Sequence, residues 1–245
     1  MNKRSSAVII GAGSRIGRSL CKQWLNDDSI EAVIAISRQA VALDHPKNEH
    51  KFHFIKSDYD ESSITATCEK IKILAHSIGR VAICNGILHS HGIWPEKRIE
   101  ELKVNTLMEV FKINTVTPVL WLKALLPLVK GKHDCIISVF SARIGSIEDN
   151  RSGGWYSYRA SKAALNMLLK TAAIEYARRA ANVKLIAFHP GTTDTPLSKP
   201  FQQSVKKENL FTAEFVAEHL VDVMNTQLVD GECSFIDWEN KAIAW

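Results

Sequence analysis

A doubly wound parallel α/β sheet is the fold this sequence predicts, and three observations predict it. Short apolar runs alternate with stretches of helical periodicity, a glycine cluster follows the first apolar run, and 245 residues suit one large domain. Strands separated by helices need parallel crossovers, which places helices on both faces of the sheet.

Each element has its own signal. Ala7 to Ile10 reads as the first strand and Ile16 to Leu25 as the first helix. Ala32 to Ile36 and Phe52 to Ile55 are the second and third strands. Ile64, Ile71, Leu74 and Ile78 give a helical period before the fourth strand, Val81 to Cys84. A long helical region from Leu102 to Leu128 follows, with a bend expected at Pro118. Cys135 to Val139 is the fifth strand, Ala163 to Ala177 a strong helix, and Val183 to Phe188 the sixth strand. A helix from Ala213 to Met224 and a short strand near Cys233 to Ile236 complete about seven strands. There is no internal repeat or linker, so residues 1–245 are expected to form one domain.

Hydrophobic residues make up 46% and charged residues 23%, ordinary for a soluble enzyme. The net charge of +5 is spread along the chain, which suits attraction of an anionic ligand and argues against nucleic acid as partner. No stretch approaches the roughly 18 apolar residues of a membrane span, and the first apolar run ends at Gly11, too soon for a secretory signal. The five cysteines are widely spaced without CxxC pairs, as expected of reduced thiols in a cytoplasmic protein.

Gly11-Ala12-Gly13-Ser14-Arg15-Ile16-Gly17 lies between the first strand and first helix, where a dinucleotide fold needs backbone close to phosphate. Glycines admit positive φ and remove the side chain that would meet the ligand, while the helix N-terminus attracts the anion. The second strand ends Ile36-Ser37-Arg38 instead of in an acid that would bind ribose hydroxyls. Arg38, with Arg15 as a second cation, can pair with a 2′-phosphate, which favours NADP(H) over NAD(H). The bland alternative is two solvent-facing arginines.

Tyr158 and Lys162 stand four residues apart, on one face if the segment is helical. Two unit charges about 4 Å apart at an effective dielectric of about 20 interact by about 4 kcal/mol, so a fixed ammonium could bring a phenol toward neutral pH. The pair is a candidate proton donor, whereas alone it would be read as two residues on a solvated helix face.

Taken together, the glycine loop, Ser37-Arg38, Asn114 in Lys112-Ile113-Asn114-Thr115, Tyr158 with Lys162, and Pro190-Gly191 resemble the short-chain dehydrogenase/reductase family in motif and order. Gly145-Ser146-Ile147, the run Gly153 to Lys162 and the run His189 to Phe201 are most similar to its C-factor and sniffer-type carbonyl reductases. The resemblance implies a Rossmann-type sheet and an NADP(H)-dependent oxidoreductase acting on a small carbonyl or alcohol, as a homodimer or homotetramer. It implies that Tyr158 protonates the carbonyl oxygen, that Lys162 binds nicotinamide ribose and depresses the tyrosine pKa, and that Asn114 holds a water leading to solvent. It places Gly11, Gly13, Ser14, Arg15, Ile16, Gly17, Ser37, Arg38, Asp58, Asn85, Gly86, Pro190, Gly191, Thr193 and Thr195 along the cofactor, with Asp58 near adenine and the two threonines near the carboxamide.

Two departures from the family stand out. The serine expected to steady the carbonyl oxygen is Ala142, leaving Ser141 as the adjacent candidate hydroxyl and Ser146 reachable only if the loop curls back. The family's Asn-Asn-Ala-Gly is here Ile83-Cys84-Asn85-Gly86, with only the glycine in register. A lost oxyanion donor costs about 3 to 4 kcal/mol of catalysis, so a weakly active or inactive nucleotide-binding signalling protein is the alternative expectation.

Elsewhere, His89 and His91 without an acidic or thiol companion make a poor metal site, and a surface or substrate-loop role is expected instead. Leu120, Trp121, Ala124, Leu125 and Leu128 form an apolar face expected to pack internally or to serve a subunit contact. Trp238 and Trp245 are expected to plug a sheet edge or an interface, and residues from Ser198 to Asn209 to form a flap over the site.

Overall fold

Seven parallel strands form the sheet: β1 (Ser5–Ile10), β2 (Ile30–Ser37), β3 (Phe52–Lys56), β4 (Ile78–Ile83), β5 (Cys135–Phe140), β6 (Val183–His189) and β7 (Cys233–Asp237), in the order β3-β2-β1-β4-β5-β6-β7. The computed structural model describes residues 4–43 and 48–245. Strand order reverses between β1 and β4, and a crevice at the carboxyl ends of such neighbours is where open α/β sheets bind ligands.

Side-chain alternation builds two cores. Along β1, Val8 and Ile10 enter the core covered by α2 (Glu61–Leu74), α4 (Thr117–Val129) and α5 (Tyr156–Arg179). Ala7 and Ile9 enter the opposite one, covered by α1 (Arg15–Leu25) and α6 (Ala213–Thr226). Local caps start three of these helices: Ser14 accepts from Gly17 N at 3.0 Å, Asp60 from Ser63 N at 2.7 Å and Thr212 from Phe215 N at 3.1 Å. Trp121 and Leu125 are fully buried, with Leu120, Ala124 and Leu128 packed beside them, so that apolar face belongs to the core. No helix among the described residues is long and apolar enough to cross a membrane.

The helical region expected from Leu102 to Leu128 is one continuous run in which α3 (Val104–Phe111) passes through a π turn over Lys112–Val116 into α4, with helical backbone at both junctions. Pro118, where a bend was expected, is the second residue of α4, just past the π turn. Two sequence expectations need correction. Helix α5 begins at Tyr156 rather than Ala163, so Tyr158 lies in its first turn. Cys84 lies half-buried just beyond β4 instead of within it. Unanticipated was a two-residue pairing of Thr192–Thr193 with Leu210–Phe211, which closes the base of the flap.

Candidate active site at the strand ends

The ends of β1 and β4 touch at the point of reversal. Gly11 has φ +83°, and a Cβ there would stand 2.9 Å from Asn85 N, so both backbone angle and space require glycine. A Cβ on Gly17 would meet Gly11 O at 2.6 Å and Ala12 Cα at 2.8 Å, which lets the loop lie directly on α1. Ser14 closes the turn by donating to Gly11 O at 2.9 Å. Gly13 and Ile16 lie in the same turn, and Ser37 packs against Gly13, its hydroxyl donating to Gln39 O.

The two arginines have separate surroundings. Arg38 is exposed at the end of β2, whereas Arg15 donates to Asp194 O at 3.1 Å and so ties the glycine loop to the flap. Asp58 is exposed beyond β3. Its neighbour Tyr59, which sequence reading passed over, holds a left-handed backbone at φ 69° and accepts from Gly11 N at 3.1 Å while donating to Ile36 O at 3.2 Å. Nothing in the sequence distinguished this tyrosine, because its partners come from two other strand ends.

Across the crevice, Gly86, Asn114 and Lys162 converge: a Cβ on Gly86 would lie 3.4 Å from Asn114 Oδ1 and 3.7 Å from Lys162 Nζ. Asn114 is fully buried, donates to Ile87 O at 2.8 Å and Ser161 Oγ at 3.1 Å, and accepts from Ile87 N at 2.7 Å. Asn85 donates to Ile113 O at 3.0 Å, so the π turn and the β4 loop are cross-linked in both directions. A π turn inserts one residue into the helical period and so re-aims a side chain, here Asn114.

Tyr158 and Lys162 share one face of α5, with Lys162 Nζ 6.0 Å from the tyrosine ring centre. Lys162 is buried and donates to Phe140 O at 2.7 Å. Burial pushes the Tyr158 phenol up to about 12 and the Lys162 amine down to about 7. The surrounding residues by themselves thus raise the phenol instead of producing the expected lowering. The physical reason is that the low dielectric that would strengthen the pair's attraction also disfavours the ammonium itself.

The hydroxyl candidates lie elsewhere. Ser141 is buried and donates to Asn166 Oδ1 at 2.6 Å inside the α5 packing, which corrects its assignment as a catalytic candidate. Alternation along extended backbone turns it away from its half-buried neighbour Ala142. Ser146 donates to Trp245 O at 3.4 Å and accepts from Asp149 N at 3.1 Å, so the loop does not curl back. Gly145 allows that loop to rest on α5, where a Cβ would meet Lys162 Cβ at 2.7 Å.

Pro190 and Gly191 follow β6, with Gly191 at φ +69° against the rings of Phe211 and Trp238. Thr193 is buried and its hydroxyl has no partner among the described residues, while Thr195 is half-buried at the flap's start. Trp238 packs on Phe211 at 4.8 Å and His189 at 5.6 Å, and Trp245 packs on Phe235 at 5.4 Å at the sheet edge. In front of Tyr158 stands a wall that the sequence reading did not foresee. Trp155 lies 6.3 Å edge-on to Tyr158 and 5.0 Å from Phe201 of the flap, and Phe201 contacts Trp94 at 5.8 Å and His89 at 5.6 Å. His89 stacks on Trp94 at 5.4 Å.

Comparison with known proteins agrees with this geometry. The family model for short chain dehydrogenase matches residues 5–206. A 1-hydroxy-2-glutathionyl-2-methyl-3-butene dehydrogenase of Rhodococcus sp. is 28% identical over 198 residues, covering 80% of this chain and 81% of its own. The C-signal protein of Myxococcus xanthus is 31% identical over 94 residues, 38% of this chain and 55% of its own. The Sniffer carbonyl reductase of D. melanogaster superposes with a TM-score of 0.84 at 21% identity, covering 99% of this chain and 100% of that one. An NADPH-bound carbonyl reductase from chicken fatty liver gives 0.82 at 23% identity, covering 99% and 100%. With the short chain dehydrogenase model matched over residues 5–206, most of its length, the chain belongs to the short-chain dehydrogenase family.

Proposed function

We propose that this chain is an NADP(H)-dependent oxidoreductase that interconverts a carbonyl and a hydroxyl on a small, largely apolar molecule, with Tyr158 as acid and base. The observation that carries this reading is that Tyr158 stands between an aromatic wall and the buried Lys162. The crevice fits the cofactor: the turn at Gly11 and Gly17 has no room for a Cβ, and the buried Thr193 hydroxyl lacks a partner among the described residues. Arg38, exposed at the end of β2 where an acid would select NAD, supports the phosphorylated form, as does the NADPH carried by the chicken reductase.

When bound, the nicotinamide supplies a hydride to the carbonyl carbon. Tyr158 donates its phenolic proton to the carbonyl oxygen, so that the C=O becomes CH–OH and a phenolate is left. Lys162 would bind the nicotinamide ribose and, once protonated, oppose that negative charge. Asn114, locked between the β4 loop and Ser161, would hold a water leading from Lys162 to solvent. The rings of Trp94, Trp155 and Phe201 exclude water and hold a flat apolar substrate against the phenol.

The test pairs calorimetric NADPH binding with turnover of aryl ketones. Tyr158→Phe is expected to cut turnover by about 10²- to 10⁴-fold while leaving NADPH affinity in place. Unchanged turnover would remove Tyr158 from the chemistry.

A further inference from the structure

We propose that Glu96 is a positioning residue for Tyr158, joining the substrate-side loop to the first turn of the catalytic helix. The inference rests on the reading of Tyr158 as the acid. Helix α5 starts without a local cap: Trp155 at its N-terminus is left-handed, φ 53°, and provides no side-chain hydrogen bond to the first turn. Gly153 and Gly154 before it are left-handed too, at φ 62° and 64°, so three successive residues hold a conformation that L side chains rarely adopt. Arg159 Nε donates to Gly153 O at 3.2 Å and to Gly154 O at 3.0 Å, and Asn150 Oδ1 accepts from Gly153 N at 3.2 Å, so the glycines are held locally, while the amides of Trp155 and Ser157 are met by a group from outside the segment.

That group is Glu96. It is only 3% exposed, and its carboxyl accepts from Ser157 N at 3.1 Å and from Ser157 Oγ in a short contact. Its backbone oxygen accepts from Trp155 N at 2.5 Å, and a Cβ on Gly154 would lie 3.4 Å from that same oxygen. One residue therefore holds residues 155 and 157, which precede Tyr158 within three positions, and packs closely on Gly154.

An acidic group also suits the positive end of a long helix. A serine or aspartate at the cap would satisfy the helix locally, without burying a carboxyl from a distant loop. What the distant residue adds is a fixed relation between loop and helix. Trp94, two residues earlier, stacks on His89 and meets Phe201, while Trp155, held by the Glu96 backbone, meets Phe201 and Tyr158. The wall that receives substrate and the group that protonates it thus share an anchor.

The experiment measures amide hydrogen exchange across residues 153–160 in the cofactor-free protein, with kcat and KM for NADPH-dependent reduction of an aryl ketone. Glu96→Ala is expected to speed exchange at residues 155–158 while the rest of α5 stays protected, to lower kcat by about a hundredfold, and to move KM and NADPH affinity much less. Glu96→Gln keeps one acceptor and should recover part of both effects; Ser157→Ala, which loses only the hydroxyl contact, should show a smaller loss. These two variants carry the test if Glu96→Ala does not fold. Full kcat in Glu96→Ala, or loosening spread evenly over α5, would overturn the proposal. If the wild-type chain reduces no carbonyl at all, the oxidoreductase reading fails, and the exchange pattern alone decides whether Glu96 holds the segment.

Discussion

The two sides of the crevice are built on different principles. The glycine side is made from backbone at consecutive strand and helix ends, where Gly11 and Gly17 let main chain meet main chain below 3 Å from any would-be Cβ. The tyrosine side is made from side chains of four separate segments: His89, Trp94 and Glu96, the π-turn Asn114, the start of α5, and Phe201 of the flap. Backbone fit tolerates almost no substitution, whereas a side-chain wall can change composition and still exclude water. Of the two departures from the family pattern, Ala142 changes a side chain near the start of the loop after β5, whereas Cys84-Asn85 lies against the glycine turn and meets Gly11 through its backbone.

The largest expected effect probes the tyrosine side. Ala142→Ser supplies the hydroxyl that the family pattern expects at this position, and an oxyanion donor is worth about 10²- to 10³-fold, so kcat measured with an aryl ketone and NADPH should rise toward a hundredfold. Tight NADPH binding with no activity in either form would instead favour a nucleotide-binding protein without turnover. On the glycine side, Gly17→Ala forces backbone to shift and should cost about 1 to 3 kcal/mol in denaturant unfolding, with about tenfold weaker NADPH binding by calorimetry. A silent Gly17→Ala would break the contrast between the two sides.

The smallest effect is a slope. Lys162 titrates near 7 in the folded protein against 10.5 when exposed, so above pH 7 the unfolded chain binds the extra proton and stability rises with pH. The slope cannot exceed about 1.4 kcal/mol per pH unit. It should fade above pH 9, the ordinary value of the thiols of Cys21 and Cys135, which burial raises to about 12 in the fold and which act in the opposite sense. His189, lowered to about 3 from 6.5, produces its own rise only at lower pH. Unfolding of Lys162→Met followed from pH 7 to 9 should lack the slope; an unaltered slope would place the neutral lysine in doubt.

Much of the fold was legible because the β-strand and helical periods are local. Val8 and Ile10 against Ala7 and Ile9, and the alanine-rich body of α5, carry their environments in their spacing. The start of α5 was not legible, because its cap is Glu96 and lies some sixty positions away. The π turn inside the long helical region was not legible for a similar reason. Pro118 drew attention as a breaker, yet the π turn at Lys112–Val116 is fixed by contacts of Asn114 and Asn85 with partners on other elements.

The sequence by itself determined the order of strands and helices, the glycine turn, and the pairing of Tyr158 with Lys162 on one helix face. Those follow from neighbours in the chain, where period and backbone sterics act directly. Only the tertiary structure decided that Ser141 turns to Asn166, where Arg15 points, what holds the first turn of α5, and that burial lowers the Lys162 amine and raises the Tyr158 phenol. Desolvation and long-range hydrogen bonds depend on what the remaining elements bring to one place, and no local pattern contains that.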